Sequence, residues 1–490
     1  MLSYDMSQRR DLPLYEHLYR CIKNDILQGA IACDEQLPSK RRLSQHLGIS
    51  LITVEGAYNQ LLAEGYIYAK PRQGYFVCKL AAGASALQAG AMAAATVTPQ
   101  RSSVQDRGSQ STSASPDEQN TSFVADLTQP GTRCPKLAAD LWGKALRASL
   151  THEPQEELFT ALGAQGSSRL QNAIASYLHR ARGMAVDPSC IVIGAGAQTL
   201  YTYVSLLFGT SAPIALENPG YPRLRNIYTA LGHTACPIDV DKEGANVFQL
   251  ERTRAQLAHV MPSHQFPTGH VMSISRRYEL LGWAARRNER YIIEDDYDWE
   301  FRFGGKPIPA LQSIDTNSKV VYIGTFSKSL ATSLRVAFMV LPASLIERFN
   351  ERLGFMSNTV STLDQVALAR LIESGNYERH LSRYRKQCRR TRDEFVAALE
   401  ASSIAKRTHV LEKDSGLHFV LEVQSALADT QIANALRAKG VLIKPLSAYL
   451  IANRTTTPAD DGWARFVVQY EELDHGAITR VVELLEQSID

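Results

Sequence analysis

The sequence predicts a multidomain chain: a small α+β head of three helices and a β-hairpin, a flexible linker, and a large α/β body. Three observations carry this. At roughly 100 to 200 residues per domain, 490 residues exceed one small unit, and 44% hydrophobic with 21% charged residues is the composition of a folded globular protein. From Leu80 to about Asn120 the chain is dominated by Ala, Ser, Gln, Thr and Gly and holds no Trp, Tyr or Phe. Beyond it, several apolar runs end abruptly in glycine, acid or lysine, as buried strands do when they deliver residues to a ligand.

The head, residues 1–79, opens with Pro13 and the spacing Leu14, Leu18, Ile22, Ile26, which predicts a helix stopped at Gly29. Ser39 is the N-cap of a second helix in Leu37-Pro38-Ser39-Lys40-Arg41-Arg42-Leu43. Gly48-Ile49-Ser50 makes a tight turn, and a third helix from Leu51 to Glu64 is expected to bury Val54, Ala57, Tyr58, Leu61 and Leu62. Gly65 to Val77 reads as two short strands around a basic, glycine-containing tip.

Helix, turn, helix and hairpin in this order form a winged helix-turn-helix, an element whose third helix fits the DNA major groove. Ser50 and Thr53 then face base edges, while Ser39, Lys40, Arg41 and Arg42, with Arg72, Gln73 and Gly74 of the wing, face phosphates. The net charge of the chain is only +3, so broad cationic binding is excluded and any DNA contact must be local. The head carries ten Lys and Arg against eight Asp and Glu, with the cations concentrated at Lys40 to Arg42 and at Arg72.

These segments resemble the GntR-type winged helix, whose pattern L-P-S-x-R-x-L, T-V, E-G-x-[IL] and G-x-F-V is met at Leu37 to Leu43, Thr53-Val54, Glu64 to Ile67 and Gly74 to Val77. The chain departs from it at Leu51, where the family usually has Arg, and at Glu55.

The linker, residues 80–121, cannot bury a core and is expected to stay flexible between the head and the body, residues 122–490. Met1 to Arg10 lacks the apolar centre of a signal peptide, and no window reaches the roughly 18 apolar residues of a membrane span. Seven scattered cysteines without a C-x-x-C pair fit a reducing cytoplasm and give neither a disulfide scaffold nor a zinc site. The expected localisation is cytoplasmic, with no metal centre.

In the body, Ile191 to Gly194 leads through Ala195-Gly196-Ala197-Gln198 into a helix whose N–H groups can hold a phosphate. Tyr291-Ile292-Ile293 ends in Glu294-Asp295-Asp296 and Tyr297. Val320 to Gly324 runs into Thr325-Phe326-Ser327-Lys328, with Arg335 following. A lone lysine after a strand is ordinarily a solvated surface residue, so the argument rests on the combination.

Together these groups meet the needs of pyridoxal 5'-phosphate. Lys328 can form an imine with its aldehyde, Asp295 can pair with its ring nitrogen, and Tyr297 can hydrogen-bond its phenolic oxygen. Gly196, Ala197, Gln198, Thr325, Ser327 and Arg335 can cradle the phosphate, and Tyr221 can stack on the ring.

The order of these segments, with the loop Pro262-Ser263-His264-Gln265-Phe266-Pro267-Thr268-Gly269, resembles fold-type I aminotransferases over residues 122–490. The resemblance implies a homodimer with sites at the subunit interface. It also implies that Arg465, in Ala464-Arg465-Phe466, holds a substrate carboxylate. Two departures bear on turnover: Phe266 stands where those enzymes carry Asn, and the tyrosine a partner subunit lends to the phosphate is replaced around Leu162.

A GntR-type head, a long linker and an aminotransferase-like body resemble the MocR subfamily of bacterial regulators. The implied function is transcription regulation through operator double-stranded DNA, with the body sensing pyridoxal phosphate itself or an amine or amino acid that displaces Lys328 from the imine. Arg223 and Arg465 point to an anionic effector; their plainer reading is a pair of salt bridges. The rival readings are a working aminotransferase with an appended domain and a DNA-binding protein whose body is inert.

Overall fold

A computed structural model describes residues 2–6, 12–70, 73–79, 123–129, 136–304, 308–414, 416–451 and 462–489. The expected linker and Arg72 of the wing tip lie outside the described residues.

The head contains α1 (Leu14–Leu27), α2 (Lys40–Leu47), α3 (Leu51–Ala63) and the antiparallel hairpin of β1 (Ile67–Lys70) and β2 (Gly74–Val77). Ser39 caps α2 by accepting from Arg42 N, and Ser50 caps α3 by accepting from Thr53 N. Between them Gly48 sits at φ +64°, the left-handed C-cap that lets the chain turn into α3 within three residues. Leu18, Ile22, Leu43, Val54, Ala57, Tyr58 and Leu61 are fully buried and form the head's core. Leu62 is 40% exposed, contrary to the sequence expectation, and Gln60 takes the buried position by bonding Glu64. Its amide satisfies that carboxylate at 2.6 Å, which an apolar side chain cannot do.

The body begins with β3 (Ala125–Asp126), α4 (Lys136–His152), α5 (Gln155–Phe159) and α6 (Ser168–Arg182). Its large domain continues with β4 (Ile191–Gly194), α7 (Ala197–Phe208), β5 (Ile214–Asn218), α8 (Pro222–Ala230), β6 (Ala235–Asp241), β7 (Gly244–Ala245), α9 (Val247–Glu251) and β8 (Leu257–Val260). Then follow α10 (Ile274–Ala285), β9 (Tyr291–Asp296), β10 (Val320–Thr325), β11 (Ala337–Val340) and α11 (Ala343–Leu353). The sheet order is β4-β11-β10-β9-β8-β5-β6-β7. Strands β10, β9, β8, β5 and β6 are mutually parallel, and β4, paired antiparallel to the reversed β11, runs with them. The carboxyl ends of β4, β10, β9, β8 and β5 therefore share one edge, where ligands sit in open α/β sheets. Near-continuous burial along β4, β5, β8, β9 and β10 marks strands covered on both faces.

Helices α12 (Thr362–Glu373) and α13 (Asn376–Ala401) lead to a smaller domain. It holds β12 (Thr408–Leu411), β13 (His418–Gln424), α14 (Asp429–Ala438), β14 (Val441–Leu442), β15 (Lys444–Pro445), β16 (Trp463–Gln469) and α15 (His475–Glu486). Strands β12-β13-β16-β15 form an antiparallel sheet, and β14 pairs with β3. Among the described residues no helix is long and apolar enough to cross a membrane.

Candidate functional site

The residues expected to hold the cofactor lie at or follow the carboxyl ends of β4, β5, β9 and β10 on that shared edge, whereas Arg465 lies in the small-domain sheet. Register ties three of the segments laterally: Ala337 of β11 lies opposite both Gly194 of β4 and Thr325 of β10, while Ile323 of β10 lies beside Asp295 of β9.

Gly196 is the N-cap of α7 at φ +83°. A Cβ there would meet the Arg335 guanidinium, with Nη2 2.5 Å away, so the arginine lies directly over the helix start. Ala197 and Gln198 open the helix, and their N–H groups belong to its unpaired first turn. Ser327 N donates to Thr325 Oγ1 at 3.1 Å, while the Ser327 hydroxyl is buried without a hydrogen-bond partner. Helix dipole, guanidinium and a spare hydroxyl together can hold a dianionic phosphate.

Asp295 is 3% exposed. Its Oδ2 accepts from the Tyr201 hydroxyl at 2.5 Å and lies 3.3 Å from His259 Nε2, and His259 Nδ1 is in turn 2.9 Å from the Tyr228 hydroxyl. A carboxylate held this way has a fixed orientation at the strand end. Tyr201, His259 and Tyr228 escaped the sequence reading. Tyr201 alone had a usable signal, since it falls one helical turn beyond Ala197.

All three acids at the end of β9 are buried, and each has its own partners. Glu294 accepts from Leu311 N and Gln312 N, and Asp296 forms a 2.6 Å ion pair with Arg182. Burial pushes the Glu294 carboxyl above its usual range.

Lys328 follows β10, its side chain 19% exposed, with Nζ 3.8 Å from Glu471 Oε1. Burial raises the Glu471 carboxyl, and Lys328 opposes that rise. Tyr297 is partly buried, desolvation raises its phenol well above the ordinary value, and its hydroxyl lies 3.2 Å from His264 Nδ1. The same His264 nitrogen is 2.9 Å from Asp298 Oδ2. His264, Asp298 and His418 bring possible ligand atoms within 4.8 Å of one another, a grouping the sequence reading missed because the residues lie in three separate segments. The two imidazoles pack at a centroid distance of 4.5 Å, and His418 Nε2 bonds the Pro267 carbonyl.

Phe266 occupies the centre of an aromatic cage, with ring centroids 5.7 Å from Tyr221, 6.4 Å from Tyr297, 5.1 Å from His418 and 5.3 Å from Tyr449. Beside it opens a narrow cleft lined by Glu217, Tyr221, His259, Met261 and Tyr449. Glu217 is buried there, which pushes its carboxyl up to about 8. Its Oε2 receives Gln265 Nε2 and Met261 N, and Oε1 has no partner.

Arg223 is exposed next to Tyr221. Arg465 lies opposite Glu422 in the β13 to β16 pairing and forms a 2.7 Å ion pair with it, so its charge is already engaged within the small-domain sheet.

In the head, Arg41 and Arg42 are exposed at the start of α2. Lys40 differs from the expectation of an available cation: its Nζ is 2.8 Å from Glu55 Oε1 and lies over the Tyr75 ring. Ser50 and Thr53 bond each other through their hydroxyls at 2.8 Å, and Gly74 opens β2 with Gln73 in the turn just before it. The carbonyl of Gln73 accepts from Gln36 Nε2.

Residues 137–479 match the aminotransferase class I and II family, and residues 14–77 match the gntR family of bacterial regulatory proteins. The HTH-type transcriptional regulator YdeL of Bacillus subtilis is 35% identical over 442 residues, covering 90% of this chain and 91% of that protein. The probable rhizopine catabolism regulatory protein MocR of Rhizobium meliloti is 31% identical, covering 89% and 87%. The HTH-type pyridoxine biosynthesis transcriptional regulator PdxR of Corynebacterium glutamicum is 28% identical, covering 87% of each chain. Among solved structures, an archaeal alanine:glyoxylate aminotransferase superposes with a TM-score of 0.64 at 20% identity, over 76% of this chain and 92% of that one.

Proposed function

The chain belongs to the aminotransferase class I and II family and joins that body to a gntR-family head, as MocR-like regulators do, and from this we propose a pyridoxal phosphate-dependent transcription regulator. The head binds operator DNA, and the body senses the cofactor or an amine that reacts with it. The observation that supports the reading is the pairing, in one chain, of a winged helix with its own apolar core and a helix start at the strand edge against which Arg335 packs.

The residues fit the cofactor on their own geometry. Gly196 lets the Arg335 guanidinium pack against the start of α7, where any side chain would displace it, and Ser327 keeps a buried hydroxyl free. Lys328 would hold the aldehyde, Asp295 the ring nitrogen, and Tyr297 the phenolic oxygen. When bound, the cofactor supplies a carbonyl that amines attack and a ring that stabilises negative charge. Tyr201 and His259 keep Asp295 oriented, and the Phe266 cage keeps water from the ring face. Arg223, exposed two residues beyond Tyr221, offers an anionic effector a fork of donors, whereas Arg465 would have to leave Glu422 to do so. The reading includes a cytoplasmic homodimer, since two heads match a two-fold operator.

Likeness in fold to aminotransferases favours one second reading, an enzyme with an appended head. Phe266 argues against it, because it removes the hydrogen bond that an Asn would give the phenolic oxygen. Borohydride reduction followed by intact-mass measurement tests the assignment. The wild type should retain one cofactor mass per chain and Lys328→Ala none, with duplex binding kept in both. Retention of the adduct by Lys328→Ala refutes the role of Lys328, and steady transamination that survives deletion of residues 1–79 favours the enzyme.

A further inference from the structure

On α3, Ile52, Glu55 and Asn59 recur at i, i+3 and i+7 and are all exposed, opposite the buried face of Val54, Ala57, Tyr58 and Leu61. Ile52 is 81% exposed and the adjacent Leu51 41%, in a head whose other aliphatic residues are mostly packed away. The helix reads Leu51-Ile52-Thr53-Val54-Glu55-Gly56-Ala57-Tyr58-Asn59-Gln60-Leu61-Leu62-Ala63 and contains no Lys or Arg. Lys40 of α2 reaches the helix but is tied to Glu55 at 2.8 Å. The C-cap carbonyl of α3, Glu64 O, accepts from Ile274 N of the body, and the most exposed aliphatic side chain of the helix is Ile52, near its N-terminus.

Each base pair presents its own pattern in the major groove. Guanine offers two acceptors suited to Arg or Lys, and thymine alone among the four bases offers a methyl group. A groove-facing helix without a free cation cannot make the bidentate guanine contact. An isoleucine with most of its surface in water gains by covering a methyl. Exposed Arg41 and Arg42 at the start of α2 supply the charge that draws phosphates to this face.

We propose that Ile52 and Leu51 read thymine methyl groups, so that the operator half-site under the start of α3 is specified by thymine and not by guanine. The charge of Glu55 is offset by Lys40, and Asn59, one turn further along the stripe, is the side chain suited to a neighbouring adenine. This inference rests on the regulator reading and names what its head recognises.

The test uses the full-length protein and duplexes selected from a random library by that protein. Each thymine is then replaced singly by deoxyuridine, which removes the methyl and leaves pairing intact, and affinity is read by fluorescence anisotropy at fixed salt. At one or two positions per half-site the wild type should bind about fourfold more weakly, the order expected for one buried methyl. That loss should vanish in Ile52→Ala or Leu51→Ala. Ile52→Arg should shift selection at the same position toward guanine. Wild-type binding unchanged by every deoxyuridine substitution, or selected half-sites with an invariant guanine lost in Ile52→Ala, overturns the assignment while leaving DNA binding intact. Failure to select any duplex overturns the regulator reading and this assignment with it.

Discussion

The backbone amide of Ile274 donates to the carbonyl of Glu64 at 3.0 Å, joining the first residue of α10 in the body to the C-cap of α3 in the head. The two helices meet end to end, carbonyl terminus against amide terminus, an arrangement their dipoles favour. The Ile274 side chain is 4% exposed and packs into the head's own core, and Ser275 Oγ donates to Lys79 O at 3.0 Å.

Ile274→Asp should therefore loosen the seat of the head. Burying an unpaired carboxylate among apolar side chains costs about 2 to 4 kcal/mol at this contact. Hydrogen exchange at Gly65 and Tyr66 should accelerate, while the body keeps its exchange pattern. Unchanged protection at those amides would show that the contact contributes nothing.

Gly196→Ala places a Cβ into the Arg335 guanidinium at a residue with φ +83°. The substitution combines backbone strain of about 1 kcal/mol or more with displacement of the arginine. Pyridoxal phosphate affinity should fall at least tenfold, read by absorbance titration, with the circular dichroism spectrum unchanged. Wild-type affinity in this variant would mean that the cradle lies elsewhere.

How far the sequence exposed this design depends on the range of each interaction. Caps and turns are local, so Ser39, Ser50 and Gly48 could be read from their immediate neighbours. Strand ends could be read because Ile292-Ile293 and Val320-Val321 are continuous apolar runs interrupted by chemistry-bearing residues. The supports of Asp295 were harder: the place of Tyr201 one turn beyond Ala197 puts it near the site, but its bond to Asp295 and that of His259 span 94 and 36 residues. Leu62 was misread because helical spacing alone cannot tell that Gln60 fills the buried place by bonding Glu64. The pairing of Lys40 with Glu55 spans two helices, and nothing in either segment alone announces it.

Arg182 and Asp296 form an ion pair at 2.6 Å with both side chains 1% exposed. Asp296→Ala leaves a guanidinium buried among Trp299 and Tyr322 without its counter-charge. The expected loss is about 3 to 5 kcal/mol in urea denaturation, whereas replacing both partners together by apolar residues of similar size should cost far less. If the double replacement is as damaging as Asp296→Ala alone, the pair does more than balance charge.

Glu217 provides the pH test. Its carboxyl is pushed up to about 8, first by burial, against an unfolded value near 4.3. Between these values the folded protein holds a proton that the unfolded chain has released, so this group's contribution is full below about 4.3 and is lost as pH rises toward about 8. Glutamine keeps the acceptor for Gln265 and Met261 but cannot ionise. Glu217→Gln should match the wild type in stability at pH 5 and exceed it at pH 9, by a difference on the order of a few kcal/mol. Melting temperatures across this range decide the matter: two parallel profiles would mean that Glu217 ionises freely in the folded state, and crossing with the opposite sign would mean that its charged form is the one the fold stabilises.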